Sequence, residues 1–364
     1  MAEFDIAFGG GGSKGMAYAG ALEVLLRRHT VRRLVGSSAG GLIATAVALG
    51  YRPEDLERPV NNRAAAGLLL QKPDEKDFPE DQQGPLRALL GSLGGGGAMP
   101  NRPILGGMRR PGGLIAGRLG DRLYQGAFLL ERGAVFTDRN LMNVLNTFFL
   151  GKLYNPAQTL AQLFAKTGKH LSLTATDTTD KELVVLNHLT APDLPAVWAV
   201  RMTVAAPFVW PEVVWKKEWG AYRGRPKAGN TVIDGSILAN FPIRYLLDRS
   251  EEAQAVMGPA GGDARVLGLF IDERRPAPGS DPDAENQQLL SQLKPYQTLT
   301  KLLETIGAAG DEAALRQADA EKVVCRIGAK GFDLLNFDLT REQFDLLVNS
   351  GRCAMTDHLQ KLGL

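Results

Sequence analysis

Gly36-Ser37-Ser38-Ala39-Gly40 follows a short apolar run, Arg33-Leu34-Val35, and precedes another over residues 42–49. The pattern reads as strand, sharp turn, helix, with Ser38 at the tip. Gly-x-Ser-x-Gly is the spacing of a nucleophile elbow. Gly36 and Gly40 let the backbone pass close to itself, so that the serine can take the strained turn that projects its Oγ from the end of a sheet. The helix behind it aims its N-terminal amides at the point where negative charge develops in acyl transfer. Small residues also punctuate ordinary strand-to-helix turns, so the pentapeptide alone leaves a plain turn and a catalytic serine both open.

Toward the N-terminus, residues 4–8 read as a strand with Ile6 and Phe8 on one face. It runs into Gly9-Gly10-Gly11-Gly12-Ser13-Lys14-Gly15, followed by a helical pattern that puts Met16, Ala19, Leu22, Leu25 and Leu26 on one face. A second strand covers residues 31–35 and leads to the elbow. Strand, glycine loop, helix, strand, elbow, helix is the alternation of an α/β sheet that binds ligands at the carboxyl ends of its strands. The glycine loop has three readings. Gly10-x-Gly12-x-x-Gly15 satisfies a dinucleotide fingerprint, but the acidic residue wanted about 20 positions on is missing at Val35-Gly36-Ser37. A phosphate-binding P-loop fails because Lys14 is followed by Gly15. An oxyanion hole made of successive glycine amides is the third, and the elbow one strand later favours it.

From about residue 52 the pattern weakens. Residues 72–84 are charged and turn-rich, and within the insertion expected over 72–122 the loop from 91 to 122 holds the Gly94-Gly95-Gly96-Gly97 run and carries Arg102, Arg109, Arg110, Arg118 and Arg122 against Asp121. Together they read as a lid or inserted flap, and the basic character of the 91–122 loop suits an anionic bilayer or plain solvation. Helical patterns return over 139–150 and 157–166, with strands expected over 171–175, 183–186, 231–233 and 266–271. Residues 279–287 form a polar linker, and helices are expected over 288–306 and 311–320, with a strand over 323–327. A last helix starts at Thr340, which with Gln343 fits a capping box. No internal repeat or second domain is evident.

The chain has 364 residues, 44% of them hydrophobic, and a net charge of +2, which gives no electrostatic footprint for nucleic acid. Cys325 and Cys353 form neither a disulfide framework nor a metal-ligand pair. Met1-Ala2-Glu3-Phe4-Asp5 lacks the basic start of a secretory leader, and no apolar stretch is long enough to span a bilayer. A cytoplasmic or peripheral-membrane protein is therefore expected. A serine nucleophile needs a base, and His29, His170, His188 and His358 all lie badly for one. Asp234-Gly235 ends a short strand. A carboxylate serves as base directly when desolvation lifts its pKa, though Asp-Gly is also a common turn pair.

Four stretches together resemble the patatin-like phospholipases. Gly10-Gly11-Gly12-Ser13-Lys14-Gly15 resembles their oxyanion loop, and Gly36-Ser37-Ser38-Ala39-Gly40 their elbow. Ala205-Ala206-Pro207 with Phe208 and Pro211 is similar to a proline block. Asp234-Gly235-Ser236, with Asn240 and Pro242, is similar to their Asp-Gly segment. The resemblance covers residues 4–272. It implies an α/β fold of three αβα layers on a mostly parallel sheet in one domain, here with a helical C-terminal extension over about 286–364. It implies a dyad of Ser38 as nucleophile and Asp234 as base, with no metal or other cofactor. Gly10, Gly11 and Gly12 would hold the oxyanion, and Lys14 would orient that loop or meet a lipid phosphate. Gly36, Gly40, Gly235 and Asn240 would support the site. The implied activity is hydrolysis of lipid acyl esters at a phospholipid or membrane surface, with a protein activator left open. A non-lipid carboxylesterase and a catalytically silent lipid-binding protein are the alternatives. Gly9 and Ser236 depart from the plant pattern and look closer to bacterial members, including secreted effectors.

Overall fold

The computed structural model describes residues 1–57, 69–73, 77, 125–126, 128–129, 131–280, 298, 301–302, 305–307, 315 and 320–364. The expected flap over 72–122 and the helices over 288–306 and 311–320 lie largely outside them.

The strands are β1 (Glu3–Phe8), β2 (Thr30–Gly36), β3 (His170–Asp177), β4 (Glu182–Leu186), β5 (Val213–Val214), β6 (Ala221–Tyr222), β7 (Arg225–Pro226), β8 (Thr231–Asp234), β9 (Arg265–Pro276) and β10 (Val324–Lys330). The helices are α1 (Ala17–Leu25), α2 (Ala39–Ala48), α3 (Pro53–Glu57), α4 (Arg139–Leu150), α5 (Leu160–Thr167), α6 (Ala196–Thr203), α7 (Ser236–Ala239), α8 (Arg244–Leu247), α9 (Glu251–Met257), α10 (Ala320–Val323) and α11 (Arg341–Lys361). The main sheet has the order β10-β9-β1-β2-β3-β8-β5, with β4 also paired to β3. From β10 to β3 every pairing is parallel, and β4, β8 and β5 join antiparallel.

The side-chain alternation of β1 builds the layers. Phe4, Ile6 and Phe8 enter a large core with α1, α2, α4, α6 and α11, whereas Ala7 faces a smaller one with Ile243, Leu246, Val256 and Met257 beneath α8 and α9. Burial on both faces is what a parallel sheet requires, and it gives the three αβα layers. Helices α1 and α11 touch backbone to backbone: a Cβ at Gly20 would stand 1.9 Å from the Val348 carbonyl, and one at Gly351 1.9 Å from that of Ala17. The capping box at Thr340 and Gln343 forms, and Thr159 with Gln162 makes a second one ahead of α5.

Two elements extend beyond their sequence signals. The strand expected over 266–271 continues to Pro276, and β10 lies parallel to β9 at the sheet edge, so the C-terminal part supplies a strand as well as a helix. Between the glycine loop and α1 stands a 3-10 turn, Gly12–Met16. No helix among the described residues is long and apolar enough to cross a membrane.

Candidate active site

At the end of β2 the chain turns through Ser38, whose φ of 53° and ψ of −128° are a strained conformation for a residue with a side chain. Its surroundings force that geometry. A Cβ on Gly40 would lie 2.3 Å from the Gly9 carbonyl oxygen, and one on Gly36 would lie 2.5 Å from that of Gly40. The Ser38 N–H donates to Thr203 Oγ1 at 3.0 Å, and the Ser38 carbonyl accepts from Leu42 N–H at 3.1 Å as α2 begins. The serine side chain thus stands at a helix N-terminus with its main chain pinned from both sides.

Asp234 ends β8, hydrogen-bonded into place through its own backbone. Its N–H donates to the Ala205 carbonyl at 3.0 Å, and Thr176 Oγ1 donates to its carbonyl at 3.0 Å. Ser38 and Asp234 face the same cavity, and the Ser38 side chain lowers the Asp234 pKa. Asp234 Oδ1 accepts from the Ser236 N–H at 2.8 Å. The carboxyl is 1% exposed. Burial pushes its pKa up from 3.8 to about 6, against the opposing pull of the Ser236 N–H and the Ser38 and Ser236 hydroxyls. Gly235 lies flat on β3, where the Thr174 carbonyl leaves no room for a side chain.

Both residues line a cavity of about 600 Å³. Leu42 and Ile43 of α2, Leu141, Val144 and Leu145 of α4, and Trp210 give it an apolar wall. Gly10, Gly11 and Gly12 line it too, but they are not equivalent. The Gly10 N–H donates to the Asn240 carbonyl at 2.9 Å, so Gly10 is a wall that ties the loop to the segment after Asp234. That corrects the expectation of three oxyanion amides. No partner for the N–H of Gly11 or Gly12 is found among the described residues. Gly12 adopts φ 53°, and the 3-10 turn behind it is fixed by Ser13 N–H to the Leu334 carbonyl at 3.0 Å. Asn240 faces the cavity. Lys14 does not line it: its side chain is buried and ion-paired with Glu273 at the end of β9.

The histidines are elsewhere. His29 Nδ1 accepts the Ala2 N–H, His170 and His188 pack with Phe164, and His358 is buried on α11. Among the described residues the acidic trio Asp177, Asp180 and Glu182 has the spacing of a metal site, but the Lys227 ammonium sits among the three carboxylates.

A family model described as patatin-like phospholipase matches residues 6–247. The chain belongs to the patatin-like phospholipase family. It is 28% identical over 246 residues to the uncharacterized protein YqhO of Bacillus subtilis, an alignment covering 66% of this chain and 65% of that protein. The chain thus spans about two thirds of that relative's length. Among solved structures it is similar to VipD of Legionella pneumophila, at 16% identity and a TM-score of 0.48 over 99% of this chain and 67% of that one. It is also similar to ExoU, solved with SpcU from the type III secretion system of Pseudomonas aeruginosa, at 18% identity and a TM-score of 0.42 over 98% and 51%.

Within this member of the family, three contacts at the site have no sequence signature. Thr203 takes the Ser38 amide, Thr176 holds the Asp234 carbonyl, and Glu273 pairs with Lys14. Each is set by a long-range pairing of segments rather than by local spacing.

Proposed function

We propose that this chain is a lipid acyl hydrolase of the phospholipase A or lysophospholipase type, acting through a Ser38–Asp234 dyad. The observation that carries the reading is that Ser38, on its strained turn, shares an apolar cavity with a buried carboxyl, Asp234, whose pKa burial holds at about 6. A base with that pKa is largely ionised at neutral pH and still strong enough to accept a proton in the transition state. As Ser38 Oγ bonds to the ester carbonyl carbon, its proton passes to Asp234. The carbonyl oxygen becomes an oxyanion that the Gly11 and Gly12 amides are free to receive, and the N-terminal end of α2 adds its dipole. Collapse breaks the bond to the alcohol, which leaves with the proton from Asp234. Water then attacks the acyl-enzyme, giving its proton to Asp234, and fatty acid and free Ser38 are restored.

The cavity's apolar wall supports an acyl chain over a small polar ester. The substrate reading places the chain at a phospholipid surface, with the reaction needing no metal. Fatty-acid release from mixed phospholipid vesicles in EDTA tests it, with Ser38→Ala and Asp234→Asn alongside. Release by the native chain that both variants lose is the expected result. A native chain that neither releases fatty acid nor reacts with a fluorophosphonate at Ser38 would overturn the reading. Labelling of Ser38 with turnover only of water-soluble esters would favour a non-lipid esterase.

A further inference from the structure

Ester hydrolysis through an acyl-enzyme has two halves, and Ser38 can give up a proton only in the first. Once acylated, its Oγ is an ester oxygen, and the next proton that Asp234 takes comes from water. A water is held in such a cavity only where it finds polar partners. Leu42 and Ile43 of α2, and Leu141, Val144 and Leu145 of α4, offer it none.

Polar side chains reach the cavity on the segment that follows Asp234. Ser236 opens α7 and Asn240 stands just past its end, and both line the cavity. They close over the glycine loop: a Cβ placed on Gly10 would stand 3.5 Å from Ser236 Cβ and 2.2 Å from Asn240 Oδ1. The Gly10 N–H donates to the Asn240 carbonyl at 2.9 Å, so this corner is tied to the loop that carries Gly11 and Gly12. In the other direction the Ser236 N–H holds Asp234 Oδ1 at 2.8 Å. Ser236 therefore bridges the base and the glycine loop. Its side chain also lowers the Asp234 pKa. A hydroxyl keeps two acceptor lone pairs wherever its own proton goes. Ser13 lines the cavity too, but its hydroxyl donates to the Asp333 carbonyl at 2.8 Å.

We infer that Ser236 holds the water of the deacylation step, its Oγ accepting a hydrogen bond from one water proton while the other passes to Asp234. The inference rests on the acyl-enzyme reading above and adds a residue to its second half. The water oxygen bonds to the acyl carbonyl carbon as the Asp234 carboxylate takes the proton. The tetrahedral adduct then breaks its bond to Ser38 Oγ, and Asp234 returns the proton to that oxygen, leaving fatty acid and free serine. In acylation Ser38 is itself the nucleophile, and Ser236 has no water to hold.

Methanol separates this role from a structural one. Attacking the same acyl-enzyme, it gives its hydroxyl proton to Asp234 and presents a methyl group where water presents the proton that Ser236 accepts. The full chain is assayed on p-nitrophenyl butyrate with a fixed fraction of methanol at pH 8, above the Asp234 pKa of about 6. Butyric acid and methyl butyrate are both quantified. Ser236→Ala should raise the ratio of methyl ester to acid about fivefold to tenfold, the worth of one neutral hydrogen bond. Fluorophosphonate labelling of Ser38 should keep its native rate. Ser236→Thr and Ser236→Val have one shape and differ in the hydroxyl, so the valine variant should give the higher ratio. Leu238→Ala, at an exposed position of the same helix, should keep the native one. A ratio unchanged in Ser236→Ala, equal ratios in Ser236→Thr and Ser236→Val, or labelling that falls in step with turnover overturns the inference while leaving hydrolysis itself established. A native chain that releases no nitrophenol and is not labelled at Ser38 overturns the hydrolase reading, and this one with it.

Discussion

Replacing Asp234 by asparagine separates what the carboxyl costs the fold from what it does for the site. Burial raises its pKa from 3.8 to about 6. The folded chain therefore holds this proton more tightly than the unfolded one. The protonated carboxyl's contribution to stability is fully present below pH 3.8 and is lost as pH rises through about 6. The displacement is about two pH units, and at about 1.36 kcal/mol per unit the ionised group costs about 3 kcal/mol by pH 7.5. Asparagine has the same shape and no charge, and its side-chain oxygen can keep the 2.8 Å bond from the Ser236 N–H. Asp234→Asn should therefore be more stable than the native chain by about 3 kcal/mol at pH 7.5. For this length that is about 4 °C in Tm. The gain should shrink to about 0.5 kcal/mol at pH 4, and hydrolysis should fall to background at both values. Thermal or urea unfolding of the two chains at each pH, with ester turnover measured in parallel, checks all three statements. A variant less stable than the native chain at pH 7.5, or a difference that does not change with pH, would refute the account of Asp234 as a desolvated base.

The same group sets the rate profile: kcat/KM on a soluble ester should rise with an apparent pKa near 6, about tenfold from pH 5 to pH 7, and a flat profile would point to another base. Thr203→Val removes the acceptor of the Ser38 N–H while keeping the side chain's shape. It should lower kcat about tenfold with KM little changed, as steady-state kinetics would reveal. Burial alone would lower the Lys227 pKa, yet its three carboxylate partners hold it above the usual lysine value. Lys227→Met leaves those carboxylates facing one another and should cost about 3 kcal/mol in a denaturation curve; an unchanged midpoint would show that water replaces the ammonium freely.

The elbow was legible because its backbone allows almost no other residues. A turn in which one glycine sits 2.3 Å, by its missing Cβ, from the Gly9 carbonyl writes itself into sequence as fixed glycine spacing. Alternation along β1 likewise foretold which side chains face the larger core. Asp234 was ambiguous by itself, since a strand-end Asp-Gly is equally a turn, and it acquired meaning through the other stretches it accompanies. The division of labour among Gly10, Gly11 and Gly12 was hidden. Nothing in three like residues says that the first donates to Asn240, a residue some 230 positions away. The end of β9 was hidden for another reason. Asp272-Glu273-Arg274-Arg275 breaks the apolar run that marks a strand, although the backbone continues its pairing with β10 as far as Pro276. Partner choice at a sheet edge is a property of the assembled fold, and local sequence carries little of it.

In the proposed reaction, substrate and base share one cavity. Apolar side chains of α2 and α4 line the cavity into which Asp234 faces, and the burial of the carboxyl is the first cause of its raised pKa. The opposing pull comes first from the Ser236 N–H, donating at 2.8 Å, and then from the Ser38 and Ser236 side chains, which hold the pKa within the range where the carboxyl is ionised at neutral pH. In the proposed reaction an arriving acyl chain would displace water from the cavity, raising the proton affinity of Asp234 as Ser38 loses its proton. The strained Ser38 backbone fits the same logic. Its cost, about 1–3 kcal/mol, is carried by the close contacts of Gly36 and Gly40 and by the bond to Thr203, which fix the main chain from which the hydroxyl projects.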